Sequence, residues 1–105
     1  MSVLMTLRVR GDSAELERRA AADPAAMKAI ADRAKEHGLI AHRFYGSEDG
    51  QIMVVDEWPD ADSFQRFYES ARAEIEPMMQ AVGVTDEPEV TFWRVLDTRD
   101  AVGWD

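Results

Sequence analysis

His42 and Glu57 are the side chains whose types and spacing first suggest chemistry. An imidazole titrates near neutral pH, and a carboxylate beside it fixes its orientation. Such a pair can act as a general base on a phenol or an acidic C–H. Both lie in the stretch Leu39–Trp58, where two runs rich in β-branched and aromatic residues flank Ser47-Glu48-Asp49-Gly50. That composition is a tight turn closing a hairpin. An even-length loop pairs residues whose numbers sum to an odd value, which sets Phe44 opposite Met53 and His42 opposite Val55. Alternation then puts His42, Phe44, Met53, Val55 and Glu57 on one face, with Ile40 at its start. The other face carries Ala41, Arg43, Tyr45, Ile52, Val54, Asp56 and Trp58, with Leu39 at its start. His42 is then diagonal to Glu57, and Arg43 to Asp56. A one-residue bulge would break this arrangement.

Each candidate has a plainer role beside the chemical one. His42 and Glu57 can form a structural network, since strongly paired residues occur there too. Arg43 and Asp56 read as a cross-strand ion pair, with Arg43 also able to hold an anionic substrate. Trp58 at a strand end can stack on a flat ligand or fill the core between sheet and helix. Phe64, Phe67, Tyr68, Met78 and Met79 would line any cavity between the second helical region and the sheet. The same stripe also serves as ordinary core. His37 ends a helix and complements its dipole. It lies five residues from His42, and a helix end and a strand do not bring two such ligands together on a metal. No phosphate loop, Gly-x-Ser-x-Gly or nucleotide fingerprint is present, so neither metal nor cofactor is expected.

The elements that must position these residues follow from periodicity. Val3 to Arg10 alternates and reads as a strand ended by Gly11. Asp12-Ser13-Ala14-Glu15 reads as a capping box, with Glu15 able to reach back to a free amide. Asp23-Pro24 restarts the helix, and Gly38 stops it after His37, giving one broken helix. After the hairpin, Asp60 or Asp62 caps a second helical region. Pro77 is expected to divide that region near Glu76 into two short helices. Glu89 to Leu96 alternates as a last strand, and a short tail ends in Val102-Gly103-Trp104.

The order strand, helix, strand, strand, helix, strand is that of a ferredoxin-like α+β domain, an antiparallel four-stranded sheet with helices on one face. Residues 1–105 are read as one domain. Because the strands are apolar on both faces, the uncovered one calls for a partner. A two-fold homodimer with sheets face to face is the expected solution, with Trp104 available to the neighbouring subunit.

Composition limits what else the chain can do. A hydrophobic share of 46% with 31% charged residues fits a folded globular protein. The net charge of −9 opposes binding to nucleic acid or an anionic membrane. With no apolar run long enough to span a bilayer and no signal-peptide profile, the expected location is cytoplasmic. The absence of cysteine removes disulfides, thiolate metal sites and a Cys nucleophile.

The strand end Glu57-Trp58, followed by Pro59-Asp60-Ala61-Asp62-Ser63-Phe64 opening a helix, resembles the dimeric α/β-barrel family that includes the antibiotic-biosynthesis monooxygenases. The likeness in element order covers nearly the whole chain. The family includes cofactor-free oxygenases of polycyclic phenols, haem-degrading enzymes and lactone isomerases. The haem-degrading branch uses an Asn, a Trp and a His. This chain has no asparagine, carries Phe67 about where the Trp would stand, and offers no His near Pro77. The phenol-oxidising branch uses Trp, Asn, Tyr and Arg, of which Trp58 transfers by motif. The resemblance implies a flat phenolic or quinone-type substrate lying against Trp58, Phe64 and Phe67, near Tyr68, Met79 and Arg43. His42, oriented by Glu57, would take a proton, and the carbanion would reduce oxygen without metal or flavin. The alternatives are a non-catalytic dimeric barrel, structural or ligand-binding, and an isomerase or lyase of the same fold.

Overall fold

β1 (Val3–Arg10) turns Met5, Leu7 and Val9 inward and Leu4, Thr6, Arg8 and Arg10 outward. This period-two alternation makes it the central strand of a half-buried sheet. It pairs antiparallel with β3 (Gln51–Trp58) on one side and β4 (Glu89–Trp93) on the other, and β2 (Ala41–Gly46) pairs with β3. The strand order is β2-β3-β1-β4. A computed structural model describes residues 1–104. Three helices, α1 (Ser13–Ala22), α2 (Pro24–Glu36) and α3 (Ala61–Ala81), supply the core's other half. Leu16, Ala34, Phe64, Phe67, Ala71 and Ile75 meet the inner residues of β1 and β3. This is the ferredoxin-like arrangement that the element order implies.

The helix starts follow their capping residues. Asp12 accepts the Glu15 amide at 3.1 Å and Asp23 accepts the Ala26 amide at 3.2 Å, with Pro24 in the first turn. Glu15 does not close a capping box. Its carboxylate pairs with Arg18 and Arg19, while the Asp12 amide donates to the Val82 carbonyl at 2.9 Å. α3 is one helix of 21 residues rather than two short ones. Pro77 cannot donate to the carbonyl of Ala73, but both residues are exposed, so the freed acceptor need not be buried unpaired. β4 stops at Trp93, short of the expected Leu96, leaving Val95 and Leu96 exposed. β2 starts at Ala41 rather than Leu39, although the Ile40 amide already donates to the Glu57 carbonyl at 2.9 Å.

The hairpin register differs from the even-loop expectation, and its turn explains why. The Ser47 amide donates to the Gln51 carbonyl at 2.9 Å, and the Gln51 amide returns a bond to the Ser47 hydroxyl at 3.0 Å. Only Glu48, Asp49 and Gly50 remain in the loop, with Gly50 at φ +86°. A left-handed glycine ending a three-residue loop is a standard hairpin solution. The odd loop sets His42 opposite Asp56, Arg43 opposite Val55 and Phe44 opposite Val54. Every β3 side chain therefore lies on the opposite face from that expected beside His42. Ile52, Val54, Asp56 and Trp58 are buried, whereas Met53, Val55 and Glu57 point away from the helices.

Candidate functional site

β3 places Asp56 in the core between Val54 and Trp58, at 4% exposure. A buried carboxylate needs partners to offset its lost hydration, and Asp56 has two. His42 Nδ1 lies 2.7 Å from Oδ1, and Trp58 Nε1 donates to Oδ2 at 3.0 Å. Trp58 is itself fully buried. Its indole stacks on Phe67 at 5.6 Å and meets Phe64 edge-on at 5.8 Å, both rings coming from α3. The indole has no freedom, so it pins the carboxylate, and the carboxylate pins the imidazole. Because Asp56 accepts, Nδ1 of neutral His42 carries the proton and Nε2 keeps its lone pair. The His42 side chain is 32% exposed and meets Phe44 edge-on at 5.1 Å.

His42 and Asp56 form the polar corner of a cavity of about 70 Å³ between the sheet and α2/α3. Met5, Leu7, Phe44 and Val54 supply its floor. α2 contributes Met27, Ile30 and Ala34, and α3 contributes Phe64, Phe67, Tyr68, Ile75, Met78 and Met79. An apolar cavity of roughly 150 Å³ holds benzene, so this space is smaller than one aromatic ring requires. The unbranched, rotatable side chains of Met27, Met78 and Met79 are those able to yield and enlarge it. Burial pushes the Tyr68 phenol up, and the nearby Glu76 charge adds to the effect. Tyr68 is therefore a neutral hydroxyl at physiological pH.

The structure brings His42, Phe64, Phe67, Tyr68 and Met79 to one cavity, and separates three of the expected site residues from it. Glu57 is on the outer face, where the Ser2 hydroxyl donates to it. The His42–Glu57 pairing is thus replaced by His42–Asp56. Arg43 is also on the outer face, opposite Val55 and 3.5 Å from the Tyr45 hydroxyl, so it neither pairs with Asp56 nor reaches the cavity. Trp58 is closed off from the cavity and acts on Asp56 instead of offering a stacking surface. Asp56 is the residue that sequence reasoning misassigned. Its signal was Gly50 standing immediately before the second strand, which fits a three-residue loop as well as a two-residue one.

No protein-family model matches the chain, and no curated protein matches it. Solved structures do. A monooxygenase of Streptomyces coelicolor, crystallised with nanaomycin D, superposes with a TM-score of 0.66 at 15% identity, over 99% of this chain and 93% of that one. The fold is ferredoxin-like. SnoaB, a cofactor-independent oxygenase from Streptomyces nogalater, gives 0.59 at 19% identity, over 95% of this ferredoxin-like chain and 98% of its own. A dimeric ferredoxin-like protein from an uncultured marine organism gives 0.63 at 17% identity, over 91% and 89% of the two chains.

Proposed function

We propose that this chain is a cofactor-independent oxygenase of small, flat phenolic molecules. The observation that carries the proposal is the Asp56-anchored His42, held at 2.7 Å in an otherwise apolar cavity. A single oriented base in an apolar pocket suits proton abstraction from a phenol. His42 Nε2 takes the phenolic proton, and the imidazolium that forms is stabilised by Asp56. The electron-rich ring then passes an electron to dioxygen, the radical pair combines into a ring peroxide anion, and the His42 imidazolium returns its proton to give the hydroperoxide and the neutral base. Loss of water from an anthrone-type hydroperoxide leaves the quinone, so one substrate and one O₂ give one quinone and one H₂O. Phe64, Phe67 and the methionines exclude bulk water during these steps. The likeness in fold to two oxygenases supports the same chemistry.

The proposal includes a homodimer. Leu4, Tyr45 and Trp93 are exposed on the outer sheet face beside Met53 and Val55, and burying that face against a second copy removes the apolar surface from water. The dimeric neighbour supports this arrangement.

The test is oxygen consumption with anthrone and with naphthols, for the wild type and for His42→Ala. Uptake that vanishes in the variant, with the dimer intact, supports the base; equal uptake by both removes it. The small volume of the cavity favours a second reading, a non-catalytic dimer whose cavity is core. That reading requires that none of these compounds bind.

A further inference from the structure

A second depression lies on the other side of two walls of the inner cavity. It is a groove of about 350 Å³ between α3 and the start of β4, lined by Phe64, Tyr68, Arg72, Glu76, Glu87 and Val90 among others. Phe64 and Tyr68 border both spaces. Their rings, 5.8 Å apart and inclined at 38°, are the partition between them. Tyr68 is only half-buried, and no hydrogen bond to another described residue ties down its hydroxyl. The Arg72 guanidinium lies 5.6 Å from the Tyr68 ring centroid, and its Nε is 4.0 Å from a Glu76 carboxylate oxygen. Among the described residues that line the groove Arg72 is the one cation, already beside Glu76 and the Tyr68 ring, and Glu87 adds a second carboxylate.

Resting on the oxygenase reading, we infer that this groove is an outer subsite for a second, hydroxyl-bearing ring of a fused aromatic substrate, joined to the His42 cavity when Tyr68 swings aside. The inner cavity, at about 70 Å³, is too small for one ring, let alone two, so a bicyclic molecule needs both spaces. Phe64 and Tyr68 offer it aromatic faces at the junction. The carboxylates accept hydrogen bonds from neutral hydroxyls and repel an anionic substituent. The subsite therefore selects neutral hydroxylated rings over carboxylated ones of the same shape.

The test uses 2,6-dihydroxynaphthalene and 6-hydroxy-2-naphthoic acid, titrated calorimetrically into the full chain near neutral pH with oxygen excluded. Stopped-flow tryptophan fluorescence supplies the association rates. The diol is expected to bind about tenfold more tightly than the acid, with Glu87→Gln narrowing that gap several-fold. Tyr68→Ala should raise the diol's association rate about tenfold, while Tyr68→Phe, which keeps the ring, should match the wild type. Equal binding of the two probes, a gap untouched by Glu87→Gln, or one association rate in all three proteins would overturn the subsite. Binding is measured without turnover, so the two readings fail separately. Selective binding without oxygen uptake keeps the subsite and removes the oxygenase. Oxygen uptake with unselective binding does the reverse.

Discussion

His42 and Asp56 stand directly opposite each other across β2 and β3, with Nδ1 2.7 Å from Oδ1. The carboxylate is buried and the imidazole partly open, so one end of the pair is fixed and the other is available. If the exposed end is the base, His42→Ala should lower oxygen uptake with anthrone by roughly 10²–10⁴-fold, the usual contribution of a positioned general base. The circular dichroism spectrum should remain that of the wild type. Retained turnover would remove His42 from the chemistry.

Asp56 accepts from two donors, so its loss should be felt in stability as well as activity. Asp56→Ala strands the Trp58 indole N–H in the core, an unpaired donor that costs about 1–3 kcal/mol. Asp56→Asn keeps one acceptor oxygen and should recover part of that stability in urea unfolding, but little of the activity. Equal stability of the two variants would show that the Trp58 bond does not anchor the carboxylate.

Gly50 sets the register on which the site depends. Its φ is +86°, and the space a Cβ would occupy is open, so Gly50→Ala meets strain and no clash. The expected cost is about 1–2 kcal/mol, the penalty of left-handed backbone for an L-residue. Chemical denaturation reads it directly; a neutral substitution would mean that the turn relaxes to another form.

Asp60 caps α3 by accepting the Ser63 amide and the Ser63 hydroxyl, both at 2.8 Å, and these bonds hold its carboxyl below the ordinary aspartate value. A depressed folded-state value contributes stability above the unfolded-state value, and that contribution is lost as pH falls through the folded one. Asp60→Ala should therefore lower Tm at neutral pH, and the gap to wild type should close in strong acid. A gap that is constant with pH would assign the effect to something other than the charged cap.

Val55 lies on the outer face between Thr6 and Arg43, at the middle of the surface proposed to be shared by two copies. Val55→Lys should shift the protein to monomer in analytical ultracentrifugation, because it buries a second cation directly opposite Arg43 in the shared face. A dimer of unchanged strength would place the interface elsewhere.

The sequence by itself determined the element order, the helix starts at Asp12 and Asp23, a third start narrowed to Asp60 or Asp62, and the amphipathic faces of α2 and α3. Those features are local: Asp12, Asp23 and Asp60 cap with their own following amides, and apolar spacing on a helix needs no distant partner. It also named His42 and the aromatic and methionine residues of α3 that line the cavity. Which carboxylate meets His42 was decided by the tertiary structure. Asp56 and Glu57 are neighbours of equal charge on opposite faces of β3, and both faces are largely apolar, so alternation alone cannot choose between them. A single residue in the turn chooses. The three-residue loop closed by Gly50 fixes the pairing, and the packing of Trp58 beneath Phe64 and Phe67 holds Asp56 inside. Pro77 shows the same division. Its effect on α3 depends on whether the Ala73 carbonyl meets water or protein, and only the folded chain exposes it.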